Sequence, residues 1–81
     1  MISITQAVNN AQIKLSELIP QANNVLLEEV ELIKTDFHIT LSFPDSGVSI
    51  IHSGFVNPRK YKLIIIDANN GSFKSMKIRN V

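Results

Sequence analysis

Between residues 4 and 19 the apolar residues Ile4, Val8, Ala11, Leu15 and Leu18 recur at spacings of three and four, with Ile19 beside the last of them. Gln6, Asn9, Asn10, Gln12, Ser16 and Glu17 fill the positions between. That period predicts an amphipathic helix. Ser3 followed three residues later by Gln6 has the spacing of a capping box, and Thr5 is a second candidate cap, so the helix starts within a few residues of position 4. Pro20 stops it, because proline lacks the amide donor and drives the residue before it out of helical geometry.

The period then changes to two. In "VLLEEVELIKT", residues 25–35, Leu26, Val30 and Leu32 share one parity with Glu28, while Leu27, Glu29, Glu31 and Ile33 share the other. This predicts a half-buried strand, in spite of the helix propensity of leucine and glutamate. After a turn near residues 34–36, "FHITLSF" alternates without a break, with Phe37, Ile39, Leu41 and Phe43 on one face and His38, Thr40 and Ser42 on the other. Residues 44–60 hold two of the three prolines and two of the three glycines, yet also Val48, Ile50, Ile51, Phe55 and Val56. They read as a long connection that contains a short edge strand or lies back over the sheet.

"KYKLIIIDANNGSFKSMKIR", residues 60–79, closes the chain as a hairpin, with Asn70-Gly71 supplying the positive φ that a tight turn needs. Pairing Asp67 with Ser72 sets Leu63 opposite Met76, Tyr61 opposite Ile78 and Lys62 opposite Lys77. Tyr61, Leu63, Ile65, Met76 and Ile78 then gather on the core side. Lys62, Ile64, Ile66, Phe73, Ser75, Lys77 and Arg79 fall on the outer face. The expected fold is α+β: a single domain over residues 1–81, with one N-terminal helix packed on a four-stranded antiparallel sheet and room for a fifth strand within 47–56.

Composition narrows the picture. In 81 residues, 44% are hydrophobic and 19% charged, enough for a packed core. With no cysteine, neither a disulfide framework nor a thiolate metal site exists, and the core alone must hold the fold. The first residues lack the basic and apolar regions of a signal peptide, and no apolar run approaches a membrane span. The expected location is cytoplasmic, or the chain is a mature form. The net charge of +1 hides an asymmetry: residues 1–58 carry two lysines against six carboxylates, a net −4, and residues 59–81 carry six basic residues against Asp67, a net +5. Either the two halves neutralise each other within one sheet, or the basic half meets an anion or acidic partner. Lys62 opposite Lys77, with Arg79 next along, would need such an offset, and Glu29 and Glu31 are the internal candidates.

Specific chemistry is sparse. Asp45, Ser46, His52 and Ser53 are close in sequence, which keeps a small hydrolase using His52 and Asp45 as an alternative, but no nucleophile elbow surrounds either serine. Two scattered histidines do not make a metal site, so neither metal nor cofactor is expected. A nucleic-acid binder using the basic C-terminal hairpin is a second alternative. It is weakened by the single aromatic, Phe73, on the basic face, where RNA-binding sheets offer two or more.

The order of an alanine-bearing helix ending at Pro20, a Val-Glu-rich strand, and then Tyr61 leading to Ile66-Asp67-Ala68-Asn69-Asn70-Gly71 resembles the PepSY domain. Tyr61, Asp67, Ala68 and Gly71 match its closing motif, Ala7 and Ala11 its helix, and Pro20 the helix end. The resemblance implies a helix on an antiparallel sheet and a non-catalytic, regulatory or inhibitory role. The functional expectation is therefore a non-enzymatic interaction module. Its outer sheet face, with Lys62, Ile64, Ile66, Phe73, Lys77 and Arg79, would meet a protein partner or a second copy as a homodimer, in the manner of an inhibitor, immunity protein or antitoxin.

Overall fold

The computed structural model describes residues 1–45 and 58–79. The chain forms a helix α1 (Ile4–Leu18) and four strands, β1 (Leu26–Ile33), β2 (Asp36–Pro44), β3 (Arg59–Asp67) and β4 (Phe73–Ile78). The strands make one antiparallel sheet in the order β1-β2-β3-β4, with α1 across one face. This is the expected α+β architecture. The edge strand considered within 47–56 lies outside the described residues.

Ser3 caps the helix: its backbone is extended and its Oγ accepts the Gln6 amide at 3.0 Å. At the other end Ile19, which leaves helical geometry (φ −130°, ψ 78°) before Pro20, closes the last turn on the Leu15 carbonyl. The buried stripe is Ala7, Ala11 and Leu15, with Val8 and Ile19 flanking it, and Ile4 and Leu18 are half in solvent. The stripe is thus turned from the one read off the large residues alone. Two alanines at its centre let the helix axis come close to the sheet.

Phe37, Ile39, Leu41 and Phe43 meet the helix as expected, all buried. The strand beside them departs from expectation. Ile64 and Ile66 are fully buried in the core cluster beneath α1, and Leu63 and Ile65 face the other way. The turn is as expected, since the Asp67 amide donates to the Ser72 carbonyl and Ile66 pairs with Phe73. A β-bulge at Lys74 then moves every later pair by one, so Ile64 faces Met76, Leu63 faces Lys77 and Lys62 faces Ile78. A second bulge at Glu28, between Leu27 and Glu29, does the same to β1 and brings Leu27, Val30 and Leu32 onto the helix side.

The first residues and the helix are tied to the β3–β4 turn. The Ile2 amide donates to the Ala68 carbonyl at 2.8 Å, and Asn10 Nδ2 donates to the Gly71 carbonyl at 3.1 Å. Gly71 has φ +78°, a conformation that favours glycine, and a Cβ there would lie 2.8 Å from Asn10 Nδ2, so a side chain would push Asn10 from its place.

Candidate functional site

On the face away from α1, residues fall in cross-strand rows: Glu31, His38, Ile65 and Ser75; Glu29, Thr40, Leu63 and Lys77; Leu26, Ser42 and Tyr61. A bulge sets two successive residues toward the same side. Glu28 joins Glu29, and Lys74 joins Ser75, so the outer face is more charged than strict alternation allows.

The residues expected to share that face are divided by the sheet. Lys62, Ile64, Ile66 and Phe73 belong to the helix side, where Ile64 and Ile66 are core and Phe73 packs against it. Lys77 is in the outer rows, and Arg79 reaches across them. The apolar outer patch of Ile64, Ile66 and Phe73 therefore does not exist, because the Lys74 bulge and the packing of α1 put all three beneath the helix. Lys62 and Lys77 are not opposite each other. His38 is half-buried in the outer rows. Asp45 is described, whereas Ser46, His52 and Ser53 lie outside the described residues.

Two arginine ladders cross the outer face. Arg59 Nε donates to Ser42 Oγ at 2.9 Å, Ser42 Oγ donates to Glu28 Oε2 at 2.6 Å, and Arg59 Nη2 donates to the Asn24 and Ser42 carbonyls. Arg79 Nη1 donates to Thr40 Oγ1 at 3.2 Å while its Nη2 lies 2.9 Å from Glu29 Oε1. Ser42 and Thr40 are fully buried, and each hydroxyl accepts from one of these guanidinium groups, Ser42 donating to Glu28 as well. The acidic and basic halves of the chain thus meet across the sheet. Glu29 is the internal offset for Arg79, as expected, whereas Glu31 makes no ion pair among the described residues. Between the ladders lies a shallow cleft of about 220 Å³ lined by Glu28, Glu29, Thr40, Tyr61 and Arg79.

Asp36 and Asp67 are directly opposed on β2 and β3, an unfavourable like-charge pair. The bulged Lys74 offsets it, with Nζ 2.6 Å from Asp36 and 3.7 Å from Asp67. The Asp67 carboxyl is held below the ordinary carboxylate range, first by the Asn69 amide, with the Asn70 amide and Lys74 adding to it against some desolvation. The Lys74 ammonium is pushed up, first by its hydrogen bond to Asp36. A carboxyl with a lowered folded-state pKa stabilises the fold above the ordinary carboxylate pKa of about 3.9, and that stabilisation is lost as pH falls through its own lower value. The raised lysine acts in the opposite sense, its contribution persisting up to its ordinary value and fading only at strongly alkaline pH. Thermal melts from neutral to acid pH should therefore show Asp67→Asn less stable than the parent at neutral pH, with the two curves converging at the acid end. A constant gap at all pH would remove Asp67 from the acid limb.

The edge strand β1 is the other distinctive surface. Only Val30 is even half-buried; Leu26 is 53% exposed, Leu27 45%, Leu32 46% and Ile33 40%. Sequence reasoning missed Arg59, Ser42, Thr40 and Glu28. The available signal was the polar doublets Glu28-Glu29 and Lys74-Ser75, each of which breaks a period of two and marks a bulge. Among the described residues no group of His, Cys, Asp and Glu could hold a metal ion, and no helix is long and apolar enough to cross a membrane.

Fold and site together define an α+β domain with a helix on one face of an antiparallel sheet and, among the described residues, a charged network on the other. Set against family models, curated proteins and solved structures, the chain matches none of them.

Proposed function

We propose that the protein is a non-enzymatic interaction module that engages a protein partner or a second copy through β1 and the adjoining outer face. The observation that carries this reading is β1 itself: an edge strand of eight residues with four large aliphatic side chains at least 40% exposed. An edge presents unpaired backbone N–H and C=O groups, and strand addition uses them for affinity and the flanking side chains for specificity. Glu31, which makes no ion pair among the described residues, favours a partner that brings positive charge. The regulatory or inhibitory role implied by the PepSY resemblance belongs to the same proposal. The basic residues give little support to nucleic-acid binding, since Arg59, Lys74 and Arg79 are engaged within the fold.

The test uses two baits, the parent chain and a Leu27→Lys, Leu32→Lys double variant, each confirmed as folded by circular dichroism. A protein retained from the native cell by the parent and lost from the variant, or a mass above one chain lost in the variant, is the expected result. Identical captures by both baits, with both strictly monomeric, would sink the proposal.

A further inference from the structure

The two edges of the sheet complement each other. β1 carries Glu28, Glu29 and Glu31 with exposed leucines; β4 carries Lys74 and Lys77, and its Ile78 is 75% exposed. In an antiparallel sheet of four strands the first and last run in opposite directions, so a translated copy sets its β1 antiparallel to β4 of the first. Continuing the rows already present places Leu32 of the second copy beside Phe73, Val30 beside Met76 and Leu27 beside Ile78 on the helix side. On the outer side it places Glu29 beside Lys77, with Glu31 on the diagonal. Lys77 and Glu31 make no ion pair among the described residues.

A groove is already shaped for this. Between α1 and β4 runs a cleft of about 220 Å³ lined by Asn10, Ile13, Lys14, Glu17, Ile66 and Phe73, with Gly71 at one end. Ile13 is half exposed, and Lys14 lies over the Phe73 ring at 5.4 Å. An incoming Leu32 in the Phe73 row points at this cleft. Four strands about 4.8 Å apart repeat at about 19 Å, wider than a helix of about 10 to 12 Å, so helices of successive copies clear one another. Joining β1 to β1 or β4 to β4 would instead oppose like charges, which destabilises a ladder.

We infer that the β1 edge of one copy adds to the β4 edge of a second copy, head to tail, with Glu29 and Lys77 setting the register and Leu32 entering the cleft at Ile13 and Phe73. The inference rests on the reading of β1 as a binding edge and commits the occupant to a second copy. Because both copies use different edges, the association does not close after two chains.

The experiment is light scattering from micromolar to millimolar protein on the parent, on Lys77→Glu, on Glu29→Lys and on an equimolar mixture of the two variants, with thermal melts of each. The expected result is a parent mass that climbs past two chains, single variants that need about tenfold more protein to do the same, and a mixture restored to parent behaviour. If the loss of the Arg79 contact lowers the melt of Glu29→Lys, Leu32→Lys takes its place, and its mixture with Lys77→Glu, in which each variant keeps one intact edge, should stop at two chains. A parent mass that levels off at two chains, or variants that assemble as the parent does, would overturn the head-to-tail geometry. A parent that stays monomeric to millimolar concentration would overturn the second copy as occupant while leaving β1 available to a different protein, which the two-bait capture decides separately.

Discussion

Replacing Ile64 by glutamate is expected to leave the chain unfolded at neutral pH. Ile64 has no solvent exposure, stands near the middle of β3 between Ile39 and Met76, and belongs to the core cluster shared with Ala7, Ala11 and Leu15. A carboxylate there has no basic partner on the helix stripe and no water. Burying an unpaired charge costs several kcal/mol even after relaxation, and the isoleucine's own burial, worth about 1.5 to 3 kcal/mol, is lost as well. A domain of this size has a net stability of roughly 4 to 12 kcal/mol, so the two terms consume most or all of it. Circular dichroism should show no cooperative melt. A folded variant with a parent-like transition would place Ile64 on the outer face and invert the parity of β3.

The second large effect is at Leu41. It is fully buried on β2, paired with Leu27 on one side and Lys62 on the other, and has the helix above it. Leu41→Ala removes three buried carbons in a site that two sheet neighbours and a helix hold open, and should cost about 2 to 5 kcal/mol. Urea unfolding is the measure, with an unchanged slope and a lowered midpoint. A loss under about 0.5 kcal/mol would contradict the burial of this face, since only surface substitutions are normally so mild.

The helix and β2 were legible as elements for a simple reason, that each has an apolar and a polar face; the period oriented β2, whereas the helix stripe is turned toward its two alanines. Ser3 and Pro20 bracket α1, and Phe37 to Phe43 alternate without interruption. β3 was not orientable in this way. Leu63, Ile64, Ile65 and Ile66 are consecutive apolar residues of a central strand, and their order carries no preference for either face. The preference comes from the helix, which selects Ile64 and Ile66, and from β4, whose bulge at Lys74 brings Phe73 and Met76 onto that same side. Reading β4 without its bulge is what sent Ile64, Ile66 and Phe73 to the outer face. The arginine ladders were hidden for a related reason. Arg59 and Ser42, or Arg79 and Glu29, meet only once strand order and both bulges are fixed, and a hydroxyl in an alternating strand reads as solvated until a guanidinium covers it.

The tie between the first residues and the last turn bears on how the chain acquires its fold as it is made. The apolar stripe of α1 rests on Ile39 and Leu41 from β2 together with Ile64 and Ile66 from β3, and Ile2 and Asn10 find their hydrogen-bond partners only at Ala68 and Gly71. The contacts of Ile2 and Asn10 are therefore complete only once the β3–β4 turn has formed. Until β3 and the closing turn have formed, the helix stripe and the inner face of the β1–β2 hairpin cover each other only in part, because Ile64 and Ile66 are missing from the cluster. Folding is expected as a single late event, and a holdase that shields apolar stripes would find its substrate in the chain shortened before residue 58.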